Sequence, residues 1–358
     1  MKAFQIETAR APLVETELAE PGPGPGEVGV LIEAAGICRS DVHYKSGTRP
    51  VPALPLVPGH EIAGSVQSIG EGVATHQIGD RVCLHYLVTC GQCGPCRRGA
   101  EQFCDTGQML GLDRQGGYAE SIIAPARNAH QIPDGVSTEA AAVMMCSTAT
   151  SLHALRRGRA GPGSKVAVFG SGGLGMSAIQ LALAMKVDAV FAIDTNPVKL
   201  DVAADLGAIP IDGSGDVVAA VRAASAGGVD VALELVGSAQ LMAKVLASLT
   251  PGGRAVAVGI TDSEFGLDPY RDLIRTEVEI LGSADHLASE IDELLTWAQQ
   301  GTIDIDRLVT QRVPFELGQV NAALDRLEAF GDEIRSVITW NRAPPGGRHH
   351  RAEAFEAE

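Results

Sequence analysis

The stretch Gly170-Ser171-Gly172-Gly173-Leu174-Gly175 constrains this chain more than any other, because its G-x-G-x-x-G spacing sits in the surroundings that give it meaning. It follows the apolar run Lys165–Phe169 and opens Leu174–Met185, which reads as a helix. The next apolar run, Ala189–Asp194, ends in an acid. In such a strand–turn–helix–strand unit Gly170 allows the tight turn, Gly172 lets a pyrophosphate approach the backbone, and Gly175 lets helix and strand pack closely. Gly173 and Leu174 stand at the helix N-terminus, whose exposed N–H groups and positive dipole end favour phosphate. Asp194 is expected to bind the adenosine ribose hydroxyls. A carboxylate there repels a 2′-phosphate, so NAD is expected over NADP. The competing reading, a glycine-rich turn followed by an exposed acid, has to treat the coincidence of strand, loop, helix and acid as chance.

The alternation continues through a helix over Pro197–Leu206, stopped by Gly207, and apolar runs at Val229–Val236 and Arg254–Val258. Apolar strands alternating with helices predict a parallel sheet covered on both faces. Residues 1–132 read differently. Short apolar runs, Val28–Glu33, Gly64–Ile69 and Arg81–Leu84, are separated by Gly, Pro and Asp turns, which predicts a β-rich unit. Pro21-Gly22-Pro23-Gly24-Pro25-Gly26 excludes helix and central strand and reads as a connector. After about Gly282 come a helix over Ser289–Gln300, the run Val309–Val313, another helix and a strand at Ser336–Trp340, a last piece read as rejoining the first unit. The tail from Asn341 is rich in Pro and Gly, then in charge, and reads as disordered.

With 358 residues and 45% hydrophobic content the chain is long enough for two cores. A net charge of −16 argues against nucleic acid and anionic membranes as partners. Met1–Glu7 lacks the features of a signal peptide, and no apolar run is long enough to span a bilayer, so a soluble, cytoplasmic protein is expected.

Seven cysteines in such a chain suggest metal before disulfides. Cys90-x2-Cys93-x2-Cys96-x7-Cys104 supplies four thiolates able to close a tetrahedral shell around zinc, with Gly91, Gly94, Pro95 and Gly99 easing the tight backbone path. A closed shell is structural. An iron–sulfur cluster is the nearest competitor, but the final gap departs from the common ferredoxin run. Disulfides and a nucleic-acid-binding zinc module are disfavoured by compartment and by charge.

Gly36-Ile37-Cys38-Arg39-Ser40-Asp41-Val42-His43, Gly59-His60-Glu61-Ile62-Ala63-Gly64 and the distant Cys146 carry a further set. Cys38, His60 and Cys146 can supply three zinc ligands and leave a fourth place for water or alcohol. Singly, each is as readily a packed or satisfied core residue.

Gly59-His60-Glu61-x2-Gly64-x5-Gly70-x2-Val73 resembles the zinc signature of the medium-chain dehydrogenases, and the cysteine lobe and Gly170–Gly175 follow in that family's order and spacing. The resemblance covers residues 1 to 340. It implies an α/β protein with a GroES-like β-rich catalytic domain over 1–148 and 286–342, containing the zinc lobe at 90–104. A Rossmann doubly wound parallel-sheet domain covers 149–285, and the tail is 343–358. It implies catalytic zinc on Cys38, His60 and Cys146, with Glu61 able to approach the metal during ligand exchange and Asp41 orienting His60. Ser40 and His43 match a proton relay. Arg39 and Arg335 match residues that grip the pyrophosphate, Asn196 and Lys199 lie near the adenosine ribose, Thr150 stands beside the nicotinamide, and Val258 joins the cofactor set. Sorbitol-type members commonly place a carboxylate where this chain has Cys146; here the cysteine sits four residues before Thr150, as in the alcohol dehydrogenase branch.

The expectation is therefore a zinc-dependent oxidoreductase moving a hydride between a primary or secondary alcohol and NAD. It would carry two zinc ions per subunit, take an alcohol or carbonyl substrate and form a homodimer or homotetramer. A polyol or amino-alcohol dehydrogenase is the nearest alternative, and a non-enzymatic NAD-binding zinc protein a more distant one. Tyr86 is expected to narrow the pocket near zinc. Arg49 reads first as an exposed loop charge, with a polar or anionic substrate as its other possible partner. Cys83 reads as packing.

Overall fold

The computed structural model describes residues 1–20 and 22–340; Pro21 and the tail reading at 341–358 lie outside the described residues. Two large sheets organise the chain. The first holds six parallel strands in the spatial order Ile209–Asp212, Ala189–Asp194, Lys165–Phe169, Val229–Glu234, Leu249–Ala257, Glu279–Gly282. Counted along the chain this is the order 3-2-1-4-5-6 of the Rossmann sheet, and helices between the strands cover it. The strands read as nearly unbroken apolar runs because both faces are buried. Phe169 and Phe191 lie on one face, Val166 and Val168 on the other, all 0–2% exposed. A side chain the size of Phe169, fully buried, contributes about 2–3 kcal/mol. The strands Ile209–Asp212 and Glu279–Gly282 close the two edges. Both are short and half-exposed, so neither carries a strong apolar signal in sequence.

The second sheet has seven strands, and the long strand Glu27–Ile37 is its hub. Along one edge it pairs throughout with Glu61–Ile69. Along the other, its first half pairs with Ser121–Pro125 and its second half with Arg335–Thr339. The chain therefore does return to its first sheet, 298 positions after Ile37, and the returning strand brings Val309–Pro314 with it as a parallel neighbour across the helix Leu317–Glu328. The hub strand is longer than the run Val28–Glu33 read in sequence, because Ala34, Ala35 and Gly36 continue the ladder although small residues carry little periodicity, whereas Arg81–Leu84 is observed as read.

Between the sheets, the helix Thr138–Val143 runs into a π-helical turn at Met144–Thr148 and then into Ala149–Arg157. The helix Ala288–Gln299 packs on Ala149–Arg157. Their contact is fixed by the buried Glu290, which accepts from His153 Nδ1 at 3.1 Å, from Arg156 Nη1 at 3.3 Å and from the Leu287 N–H at 2.9 Å. No helix among the described residues is long and apolar enough to cross a membrane.

Candidate active site

Three chain segments deliver the donor atoms of one buried cluster. The hub strand ends at Ile37 and turns at Cys38 into the helix Arg39–Ser46; the strand Glu61–Ile69 begins just after His60; the π-helical turn carries Cys146. One ligand atom from each of Cys38, His60, Glu61 and Cys146 lies within 4.8 Å of every other. The Cys38 and Cys146 sulfurs are 3.9 Å apart. Tetrahedral zinc with bonds of about 2.3 Å sets sulfurs about 3.8 Å apart, so the spacing fits. The donors fit as well: His60 is 0% exposed and neither of its ring nitrogens has a hydrogen-bonding partner, a state that burial penalises unless a ligand is met. The paired thiols divide their acidity: the Cys146 thiol holds Cys38 well below the ordinary thiol range, against burial, and Cys146 is pushed well up.

Asp41 braces this cluster. It is 1% exposed and its carboxylate accepts from the Cys38 N–H at 2.9 Å, the Gly59 N–H at 3.1 Å and the Tyr118 hydroxyl at 3.0 Å. Its Oδ1 stands 3.5 Å from His60 Nδ1, which leaves Nε2 as the natural ligand atom. Glu61 is ion-paired with Arg335, both buried. Burial pushes the Glu61 carboxyl up to about 7, Arg335 opposing. Arg335 also lies across the first turn of the helix Gly173–Ala184, where a Cβ on Gly173 would come within 2.6 Å of Arg335 Cδ. This guanidinium thus touches both the metal-type cluster and the phosphate-type loop.

A cleft of about 370 Å³ opens along that loop. Gly170, Gly172, Gly173, Leu174 and Gly175 line it, and so do Asp194, Asn196, Lys199, Arg39 and Arg335. Gly175 is required at its position: a Cβ there would meet the Gly170 carbonyl oxygen at 1.9 Å. Asn196 caps the helix Pro197–Asp205 through the Val198 N–H. Arg39 stacks over Phe330, 3.8 Å from the ring centroid, and donates to the Leu327 carbonyl at 2.6 Å. Thr150 and Val258 do not line this cleft. Thr150 is buried in the helix Ala149–Arg157, four residues beyond Cys146, and Val258 follows the strand Leu249–Ala257, donating its N–H to the Glu234 carbonyl at 3.0 Å.

Ser40 and His43 share the helix Arg39–Ser46. Ser40 Oγ is 3.9 Å from Cys38 Sγ. Burial, with Arg39 beside it, lowers the His43 pKa. Tyr86 sets its ring edge-on to His60 at 5.2 Å and donates its hydroxyl to Asp285 Oδ1 at 2.9 Å. Arg49 is exposed, 5.8 Å from the Tyr44 ring centroid. Cys83 is buried in packing, its Sγ 3.7 Å from the His130 carbonyl.

Cys90, Cys93, Cys96 and Cys104 form the second cluster, again within 4.8 Å of one another and free of disulfides. Sulfur spacings of 3.4 Å (Cys93–Cys96), 3.8 Å (Cys93–Cys104) and 4.0 Å (Cys90–Cys96) match a tetrahedral ion. The Gln92 and Cys93 N–H groups lower the Cys90 thiol to about 6. Sequence reasoning missed Asp285, His286, His85 and His130, which gather behind Tyr86 with no local motif, and the Glu290–His153 contact.

Two family models match the chain: the alcohol dehydrogenase GroES-like domain over residues 24–134 and the zinc-binding dehydrogenase over 173–300. An alcohol dehydrogenase of Geobacillus stearothermophilus is 36% identical over 330 residues, covering 91% of this chain and 96% of that one. The NADP-dependent alcohol dehydrogenase C 1 of Mycolicibacterium smegmatis is 33% identical over 349 residues, 94% and 97% of the two chains. The solved alcohol dehydrogenase TADH of Thermus sp. ATN1 superposes with a TM-score of 0.88 at 30% identity, over 95% of this chain and 100% of its own.

Proposed function

The chain belongs to the zinc-dependent medium-chain alcohol dehydrogenases, and on that premise we propose that it exchanges a hydride between a primary or secondary alcohol and NAD, with Cys38, His60 and Cys146 holding the ion at which the alcohol reacts. The observation that carries the reading is the donor set itself: two thiols, an imidazole whose ring nitrogens make no hydrogen bond, and a carboxylate, buried and within 4.8 Å of one another. Zinc bound there supplies Lewis acidity that brings a hydroxyl pKa down by several units, and NAD supplies the hydride acceptor.

The chain's own residues do the rest. Asp41 fixes the ring of His60. Ser40 Oγ would receive the hydroxyl proton while its own O–H proton passes on toward His43, which its lowered pKa keeps neutral at pH 7 and which releases the proton to solvent. Arg335 and Arg39 hold the pyrophosphate over the helix start at Gly173. Asp194 orients the adenosine ribose and disfavours a 2′-phosphate. Asn196 and Lys199 flank that ribose, and Thr150 and Val258 belong to the nicotinamide end. Arg335, ion-paired with Glu61, would hold that carboxylate back from an ion bound by Cys38, His60 and Cys146.

The same reading gives the cysteine lobe a second, structural zinc, hence two ions per chain. The catalytic domain takes in 1–148 and 286–342, and the dinucleotide domain 149–285. The protein is a cytoplasmic homodimer or homotetramer. The test is direct. Purified protein with its metal counted is mixed with NAD and a panel of alcohols, and absorbance of the reduced cofactor is followed. Zinc- and NAD-loaded protein that turns over no alcohol would be a binding protein, and the reading would fall.

A further inference from the structure

The cleft along the glycine loop takes its walls from two distant parts of the chain. Gly173, Asn196 and Lys199 line one side, and Arg39, Phe330 and Arg335 the other. At the end marked by Asp194 a side-chain hydrogen bond joins the walls: Asn196 Nδ2 donates to Asp332 Oδ1 at 2.8 Å, across 136 positions of sequence. The loop that carries Asp332 leads from the helix Leu317–Glu328 into the returning strand Arg335–Thr339. Phe330 opens that loop in the left-handed region, at φ 59°, with Arg39 stacked over its ring. A bulky side chain rarely adopts that backbone, and such strain marks a loop whose course matters.

Asn196 is held from two sides. Its side-chain oxygen accepts the Val198 N–H at 3.0 Å as the cap of the helix Pro197–Asp205, which leaves the amide nitrogen to face Asp332. Its backbone N–H donates to Asp194 Oδ1 at 2.9 Å. One asparagine thus holds a carboxylate at each of its two nitrogens. Covalent geometry keeps those nitrogens within about 5 Å of each other. The Asp194 and Asp332 oxygens they bind are therefore no more than roughly 11 Å apart, about one Debye length at 0.1 M salt.

The charge balance at this end decides what it accepts. Lys199 lines the same cleft and brings one positive charge, which Asp194 alone would only cancel. Arg39 is engaged by the Phe330 ring and the Leu327 carbonyl, and Glu333 is paired with Arg326 at 2.8 Å. Asp332 is exposed and, among the described residues, has no ion-pair partner. It tips the balance negative. A ribose with free hydroxyls is neutral and can donate to a carboxylate, whereas a 2′-phosphate brings up to two negative charges.

We propose that Asp332 is a second specificity-determining acid for the cofactor: it stands on the wall opposite Asp194 and repels a 2′-phosphate at the adenosine ribose. The proposal rests on the NAD reading given above and deepens it with a residue from the other side of the cleft.

NADH and NADPH are titrated into the zinc-loaded, full-length protein and read by cofactor fluorescence, at about 20 mM and about 500 mM salt. Asp332→Asn keeps an oxygen that can accept from Asn196 and removes the charge. It is expected to lower the ratio of the NADPH to the NADH dissociation constant about three- to tenfold at the lower salt, the scale of a phosphate dianion within about a Debye length of a carboxylate in water, and by about twofold or less at the higher salt. Asp332→Ala is expected to follow it. A ratio that neither substitution moves overturns the proposal. So does a ratio moved by Asp332→Ala alone, which would assign the effect to the hydrogen bond, and so does a shift of the same size at both salts. Weaker binding of both cofactors alike, with the ratio intact, marks a merely structural strap and overturns it too. Wild-type protein that binds NADPH as tightly as NADH overturns the NAD preference instead, and the ratio in Asp332→Asn at the lower salt still decides the role of Asp332.

Discussion

The Asp194 carboxylate accepts the Ser171 backbone N–H at 2.7 Å. The acid that ends the second strand of the parallel sheet is thereby locked onto the glycine loop that follows the first, and its other oxygen accepts the Asn196 N–H at 2.9 Å. Held this way, it cannot swing aside for a 2′-phosphate. Asp194→Ala is expected to lower the NAD-to-NADP ratio of kcat/KM by about tenfold or more, the scale of removing one close charge repulsion. A ratio unmoved by the substitution would deny Asp194 this role.

Metal counting separates the two clusters. Wild-type protein is expected to hold two zinc ions per chain. Cys38→Ala should hold one, with turnover abolished and the melting temperature lowered little. Cys104→Ser should also drop to one, but here the folded yield and melting temperature are expected to fall, because the half-exposed lobe has little core of its own and a bound ion would be its main tie. Plasma emission spectrometry with thermal melting reads both. Full metal content in either variant would contradict the assignment.

Ser40→Ala is expected to lower kcat by about 10²–10⁴-fold, the usual contribution of a placed proton acceptor, while the NADH dissociation constant stays within about twofold. Stopped-flow turnover and NADH fluorescence make the comparison. An unchanged kcat would remove Ser40 from the proton path.

Glu290 is expected to govern acid stability at the contact between Ala149–Arg157 and Ala288–Gln299. Burial raises its pKa, but His153, the Leu287 N–H and Arg156 outweigh burial, and the folded value lies below the ordinary 4.5. A carboxyl depressed on folding adds stability that is complete above its unfolded value and disappears as pH falls through its folded value. Glu290→Gln should therefore destabilise by about 2–3 kcal/mol at neutral pH, a buried pair discounted for the partly exposed Arg156. The gap to wild type should narrow below about pH 4.5. Denaturant melts across that range test it; a gap constant with pH would show the carboxylate's charge to be irrelevant.

Local geometry explains what could be read without coordinates. The sulfur set from Cys90 to Cys104 closes within fifteen residues, so its spacing alone brings the four thiols together. The strand, glycine turn and helix around Gly175 are likewise one local unit, whose tightness at the Gly170 carbonyl demands a residue without Cβ. The parallel strands Lys165–Phe169 and Ala189–Asp194 declared themselves as apolar runs because both faces are buried. The edge strands Ile209–Asp212 and Glu279–Gly282 did not, since one side of an edge is left to solvent and the apolar signal thins.

Residue types and short-range spacing gave, from sequence alone, a parallel sheet with a dinucleotide-type glycine loop and a four-cysteine lobe, since backbone conformation over a few residues dictates which types fit; Cys38, His60 and Cys146 were singled out by family resemblance, and their meeting is long-range. Only the tertiary structure brought Arg335 onto Glu61 across 274 positions, set Asp285 on Tyr86 across 199, and turned His286 toward His85. Such contacts are selected by how two sheets pack through a shared hydrophobic core. That packing depends on the summed shape of many side chains, and leaves no periodicity or spacing in the chain from which to read it.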